Sequence, residues 1–429
     1  MNTQLIICLI IFLLTIIGYC SGIYSLATVA ITSMMALVLT GCLGAADTLA
    51  YFSNANVIMI AGMCIVAAGF NRTSFCLSIA GRISDLAKGS LKKMMLGYVL
   101  IGVLLSQFIQ SPVVVFGIIA PMLAASAESM DVRPSKVMFP VGIATIVTCC
   151  TVPVGAGATV AAELNAYLES YGYTEFMVGM MDPLKGRLPL LIITIIYCAF
   201  FAMKFAPDAP IVEAINVKAS GDQQKLNKMQ EYAGILIFFG DALALMFASK
   251  IGLANWEITV IGAVLMILFG VLKPKEATAS IPLSMLLLIV GALAMSGALG
   301  ATGAGQLIGD VIAKLVTAVN GNSYIVGLIF FVVPFVLTQV MQNRGAMMTF
   351  HPIAIATCAS IGGNPVGLMI IVQAACLSAF MTPMATPAVP YIMDYGGYDQ
   401  KSMFKQSWLF AIICCIVTVG WIMTIFPIV

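Results

Sequence analysis

Ser106-Gln107-Phe108-Ile109-Gln110-Ser111-Pro112 and Thr338-Gln339-Val340-Met341-Gln342-Asn343-Arg344 are polar interruptions in two otherwise apolar stretches, 94–127 and 324–351. They match each other at an offset of about 230 residues, with Gln107 on Gln339, Gln110 on Gln342 and Ser111 on Asn343. A polar tip between apolar arms suits a re-entrant hairpin, whose backbone is tolerated in a bilayer only where protein or a water-filled cavity satisfies it. The match continues outward. Gly62 falls on Gly291 and Thr73 on Thr302. Val152-Pro153-Val154-Gly155-Ala156 falls on Thr382-Pro383-Met384-Ala385-Thr386, and Tyr171-Gly172-Tyr173 on Gly396-Gly397-Tyr398. The chain reads as two repeats, 1–205 and 232–429, joined by a polar cytoplasmic linker at 206–231.

Composition sets the solvent. Only 9% of the 429 residues are charged and 61% are hydrophobic, against about 25% charged in an ordinary soluble domain. There are too few polar residues to cover a soluble surface, so lipid surrounds most of the chain. The net charge of +2 gives no support for nucleic-acid binding. A single histidine, His351, and the lack of any C-x-x-C pair give no basis for a transition-metal site or a disulfide framework. The 12 cysteines read as small core residues. No Lys or Arg precedes the apolar run that begins at Leu5, so no cleaved leader is expected.

Membrane-length apolar runs lie near 4–20, 25–43, 55–70, 187–205, 232–249, 254–272, 281–299 and 406–427. Two more are interrupted by Gly and Pro, a broken helix at about 136–169 and another at about 353–395. The expected fold is therefore an all-α integral membrane protein of about ten transmembrane helices, two re-entrant hairpins and two broken helices. The basic residues orient it. All but five of the 20 face the cytoplasm on one threading; Lys185, Arg187, Lys250 and Lys314 face outward, and Arg344 sits at a hairpin tip. An odd number of spans per half inverts the second repeat.

Inverted repeats with broken helices are the architecture of secondary transporters, with the site near the midplane where tips meet breaks. Half-helix N-termini favour anions there, and unwound carbonyls hold small cations. Arg344 is a charge at membrane depth with no acid in its own hairpin, and its planar fork suits an anion. A structural ion pair, or a fixed charge standing where a sodium ion would sit, is the other reading. Gln107, Gln110, Gln339 and Gln342 either close the hairpin backbones or touch substrate. Asp241, inside the apolar run 235–248, is either a proton-relay residue or structurally paired. His351 either titrates in function or backs the tip.

Ala379-Phe380-Met381-Thr382-Pro383-Met384-Ala385-Thr386-Pro387-Ala388, followed by Gly397-Tyr398, resembles the second helix break of the divalent anion/sodium symporter family, the dicarboxylate- and sulfate-type permeases of the ion transporter superfamily. The hairpin tips are similar to that family's two Ser-Asn-Thr tips, each with a Pro ten residues after the Ser: here Ser111 precedes Pro121 and Gln342 precedes Pro352. The resemblance covers roughly 50–427. It implies an elevator-type transporter with scaffold and transport domains, a homodimer in the inner membrane, a sodium ion at each tip and break, and an anion shared by both tips. Carried over, the substrate residues are Gln110, Ser111, Pro112, Gln342, Asn343, Arg344, Thr386 and Pro387. The cation residues are Ser111, Thr151, Gly155 and Ala156 in the first half and Asn343, Thr382 and Ala385 in the second. Neither tip reads Ser-Asn-Thr, and the first break lacks a Thr-Pro-Pro-Asn ending.

The expected activity is import of a small anion (a di- or tricarboxylate, a sulfonate or sulfate) driven by Na+ or H+, without a cofactor and without enzymatic chemistry. A cation/proton antiporter or arsenite-type exporter of the same superfamily is the alternative. It would need an ionisable pair at the hairpins.

Overall fold

The computed structural model describes residues 3–21, 23–75, 78, 90–109, 111–128, 130–211, 226–281, 283–305, 307, 322–339, 343–383 and 385–428. Over these residues the chain is helical, with no strand. The first half contributes α1 (Thr3–Ser21), α2 (Leu26–Leu39), α3 (Ala55–Asn71), α4 (Leu91–Phe108), α5 (Pro112–Glu128), α6 (Pro134–Val147), α7 (Ala158–Tyr171) and α8 (Asp182–Phe200). The second contributes α9 (Lys228–Met246), α10 (Asn255–Leu268), α11 (Leu283–Thr302), α12 (Ser323–Thr338), α13 (Asn343–Ile361), α14 (Val366–Leu377), α15 (Ala388–Gly396) and α16 (Gln400–Ile425).

These helices are apolar enough to lie in lipid, where a backbone must make its hydrogen bonds within its own segment. Among the described residues, Ala45–Asn71, α4, α8 and α16 are long and apolar enough to cross a bilayer, and α1, α2, α10 and α12 are shorter apolar helices. Large apolar side chains stay exposed on the outer faces, among them Leu14, Leu236, Leu268 and Ile416. Water would penalise that surface; lipid does not. The chain is a multi-pass membrane protein.

Glycine sets two of the tightest crossings. A Cβ on Gly62 would stand 2.9 Å from the Thr259 carbonyl carbon, where α3 crosses α10. A Cβ on Gly291 would stand 2.6 Å from the Ala30 backbone, where α11 crosses α2. The two glycines matched in sequence thus make matched close approaches, the usual role of small residues between membrane helices. Outside the apolar segments, Lys136 donates to the Ala206 carbonyl at 3.0 Å and pairs with Asp208 at 2.6 Å, so the start of α6 is tied to the start of the linker. That hydrogen bond holds the Asp208 carboxyl below its ordinary value.

The broken helices are real, and one boundary moves. The first break runs from Thr148 to Gly157 and the second from Ser378 to Pro387. The second hairpin does not end near 351, and no new helix begins near 353. α13 runs unbroken through Pro352 to Ile361. Proline removes a single backbone bond, which membrane helices tolerate when neighbours compensate. The stop comes instead at Gly362, whose φ of +66° suits glycine. Asn364 then caps the Val366 N–H at 2.9 Å, and its own N–H reaches the Ile428 carbonyl at 2.8 Å.

Each hairpin is locked to its break by one amide. Gln107 Nε2 donates to the Val103 and Thr148 carbonyls at 2.7 and 2.9 Å. Its Oε1 accepts from the Thr151 and Val152 N–H groups at 3.2 and 3.0 Å. Gln339 repeats the pattern: Nε2 donates to Phe335 O and Oε1 accepts from the Met381 N–H, both at 3.0 Å. These two glutamines close backbone rather than face a ligand. Replacing Gln107 by Leu strands the Thr151 and Val152 N–H groups in the interior, at about 1–3 kcal/mol for each group left unsatisfied, and removes its two donated bonds as well. Thermal unfolding in detergent is expected to place Gln107→Leu below Gln339→Leu, which loses two bonds. The reverse order would refute this account of the clamps.

Candidate functional site

Two kinds of helix end converge on one cavity. Pro112 opens α5, Asn343 and Arg344 open α13, Thr159 and Val160 lie in the first turn of α7, and Thr386 just precedes α15. The C-terminal ends of α6 and α14 arrive beside them, bringing Ile146 and Leu377. All of these residues, with Cys149, Cys150, Glu163, Met347 and Gln373, line one cavity of about 150 Å³. Four helix N-termini around one cavity present positive dipole ends to whatever enters.

The predicted substrate residues divide. Pro112, Asn343, Arg344 and Thr386 line the cavity together. Ser111 and Pro387 flank it in sequence and are not among its lining residues. Gln110 and Gln342 lie outside the described residues. The predicted cation residues sit at the two tip–break junctions. Thr151 is buried, and its hydroxyl donates to the Thr148 carbonyl at 2.9 Å. Gly155 takes a φ of +59°, and a Cβ there would meet the Phe108 and Gln107 carbonyls at 3.1 and 3.2 Å. Ala156 follows it in a short 3-10 turn, Gly155–Gly157. In the second half, Asn343 Oδ1 accepts from the Thr338 hydroxyl at 2.8 Å, the Thr382 hydroxyl donates to the Gln339 carbonyl, and Ala385 is buried. Ser111 continues into α5 by accepting the Val115 N–H at 3.1 Å. Among the described residues no group of three His, Cys, Asp or Glu side chains could hold a metal ion.

Two charges find their partners far away in the chain. Arg344 does have an acidic neighbour: Glu163, from α7 in the other half, accepts from its Nη1 at 2.9 Å. The acid is not in the hairpin, so a search along the hairpin misses it. The signal was Glu163 itself, an acid inside an apolar helix just after a break, which is a functional candidate by default. Arg187 does not face outward. It is 1% exposed, and its guanidinium donates to the carbonyls of Val147, Cys149 and Cys150 at 2.8, 3.0 and 3.2 Å. Those are carbonyls that α6 leaves free where it unwinds. A cation at a helix C-terminus also opposes the dipole. Cys150, at a φ of +56°, is held in the left-handed region beside this clamp.

The other two titratable candidates do not line the cavity. Asp241 is buried on α9 where Gly262 of α10 leaves room for it; a Cβ there would come within 2.5 Å of its Oδ1. His351 is buried on α13 with its ring 5.2 Å from that of Tyr167.

Residues 8–362 match the citrate transporter family. The chain belongs to that family. Its relatives include an uncharacterized transporter of Haemophilus influenzae, 23% identical over 91% of this chain and 86% of the relative. The sodium-dependent dicarboxylate transporter SdcS of Staphylococcus aureus is also 23% identical, over 88% of this chain and 78% of its own length. Among solved structures, MtrF of Neisseria gonorrhoeae, from a class of antimetabolite efflux pumps, superposes with a TM-score of 0.62 at 12% identity, covering 98% of this chain and 94% of MtrF. The YdaH transporter of Alcanivorax borkumensis gives 0.59 at 14% identity, over 88% and 86%. These two show a common fold. The resemblance read from the helix breaks and tips is borne out: this member of the citrate transporter family is an anion transporter, and not an enzyme.

Within that family setting, the Arg187 clamp makes a direct prediction. Arg187→Met removes three hydrogen bonds that a charged donor makes to buried carbonyls and should lower stability by at least about 3 kcal/mol. Arg187→Lys keeps the charge but replaces the fork by a point donor, and should fall between. Equal melting temperatures for the parent and Arg187→Met would show that the clamp carries no weight.

Proposed function

We propose that this protein imports a small di- or tricarboxylate across the inner membrane, with sulfonates and sulfate as the next candidates. The observation that carries the reading is Arg344. It is a planar donor fork, in a small cavity ringed by helix N-termini, at the junction of both halves of the chain. Such an arrangement recognises a carboxylate by paired N–H···O bonds and by dipole attraction together. Asn343 and Thr386 add neutral polar groups on the same cavity wall. Gln110, Ser111, Gln342 and Pro387 complete the proposed ring. The dicarboxylate named for SdcS supports the substrate class.

The organisation follows. Residues 1–205 and 232–429 form two inverted repeats around the linker at 206–231. Each contributes one hairpin and one broken helix to a transport unit that moves as an elevator against a scaffold, in a homodimer. The matched Gln107 and Gln339 clamps and the matched Gly62 and Gly291 crossings support the repeat. Ser111, Thr151, Gly155 and Ala156, and Asn343, Thr382 and Ala385, are the proposed cation positions. At the first of these Arg187 already occupies the neighbouring carbonyls, which favours the second break for a coupling sodium.

Thermal stability of the purified protein against citrate, succinate and sulfate, in sodium and in potassium salts, tests this. A ligand bound only by the folded state adds about 2.7 kcal/mol at a hundredfold excess over Kd. One carboxylate is expected to stabilise, more in sodium than in potassium. Arg344→Gln should weaken binding roughly 10- to 100-fold in Kd, which removes about 1.3–2.3 kcal/mol of that stabilisation. A response to cations or pH alone would favour the antiporter or exporter of the same superfamily.

A further inference from the structure

We infer that Glu163 is the coupling carboxylate of this transporter: it holds Arg344 while no anion is bound, and takes up one proton when a substrate carboxylate replaces it on the guanidinium. The inference rests on the anion reading of the Arg344 cavity.

The geometry points there. Glu163 and Arg344 come from opposite halves of the chain and meet on the wall of the same cavity, 2.9 Å apart. Among the described residues Arg344 is the only cation paired with Glu163. The Glu163 side chain is 9% exposed and the Arg344 side chain 30%, so the guanidinium still presents a face to the cavity. The second carboxylate oxygen, Oε1, is buried without a hydrogen-bond partner. Glu163 is thus a charged group balanced by one contact, and that contact is the group an incoming anion needs.

An arriving carboxylate brings a second negative charge to one guanidinium. Two carboxylates crowded on a single site cannot both stay ionised without a large penalty. A buried carboxylate that loses its only cation is costly as well. Both penalties vanish by the same step: Glu163 leaves Arg344 and binds a proton from solution, carboxylate plus H+ giving carboxylic acid, with no other bond made or broken. When the anion leaves on the other side, the ion pair re-forms and the proton is released there. Anion and proton then cross together because one binding event requires the other.

Other titratable groups do not offer this link. Cys149 and Cys150 line the cavity within the first break, and their carbonyls accept from Arg187. Tyr167 lies one turn beyond Glu163 on α7, backed by His351 from α13, and Tyr19 of α1 interacts with it. Cys64 of α3 stands near Arg344. α11 reaches α7 through Ser296, which is not titratable here. Of these groups, only Glu163 both lines the cavity and touches the guanidinium.

The test is calorimetric binding of citrate or succinate to the intact protein in detergent, above about pH 7.5, where carboxylates in water are ionised. Repeating it in buffers of different ionisation enthalpy gives the protons taken up per anion. The parent is expected to take up close to one proton, with Kd weakening up to tenfold per pH unit. Glu163→Gln, which mimics the protonated acid, should bind as tightly or more tightly, with no proton uptake and no pH slope. In proteoliposomes it should lose accumulation driven by a pH gradient. Glu163→Asp should keep the proton uptake. Anion binding by the parent without proton uptake overturns the proposal on the parent alone, whether or not the variants fold. Proton uptake surviving in Glu163→Gln overturns it as well. A parent that binds no anion at all overturns the anion reading and this inference together.

Discussion

Unwound backbone inside a membrane has to find partners, and the rest of this structure is arranged around that demand. Helices α6 and α14 both stop in mid-molecule, leaving carbonyls and N–H groups that lipid cannot satisfy. The protein answers from two directions. An amide from each hairpin tip, Gln107 or Gln339, reaches into the facing break. A charged fork, Arg187, seals the carbonyl end of the first break, while the neutral Gln400 donates to the Met381 carbonyl in the second. With the breaks held open, the helix N-termini that flank them can face a common cavity. The cavity wall is a by-product of interrupting helices, and its precision depends on how rigidly the interruptions are held.

Phe108 shows how that rigidity reaches the periphery. It ends α4 at the first tip and packs edge-on against Phe238 of α9, with ring centroids 5.7 Å apart. Phe238 in turn stacks on Phe70 of α3 at 4.0 Å. The tip is therefore braced by aromatic contacts from α3 and α9, while Gln107 ties it to the facing break. Such contacts constrain where Pro112 and α5 can point, so they bear on the cavity although none of these rings lines it.

The broad architecture was legible because its signals are local and repeated. Apolar runs, polar tips and Gly-Pro breaks each occupy a short window, and the two copies check each other. Arg344, Asn343, Pro112 and Thr386 could be assigned to one site for the same reason. The charge partners were not legible. Glu163 and Arg344 are separated by 181 positions, and Arg187 reaches its three carbonyls from 37 to 40 positions away. A basic residue near the start of an apolar helix looks the same in sequence whether it points to the headgroups or turns inward. Pro352 misled in the opposite sense: a proline signals a break, and here α13 absorbs it.

Arg187 also bears on how the electrical potential across the membrane can act. A solute cation taken up on one face and released on the other carries charge through the field, and each such charge is worth about 2.3 kcal/mol per 100 mV. A guanidinium belonging to the chain returns to its starting place whenever the carrier does. Whatever work the field does on it in one direction is reversed in the other. The first break thus obtains its positive charge without adding to the voltage dependence of a complete turnover, and the electrogenicity of transport is left to the species that change sides.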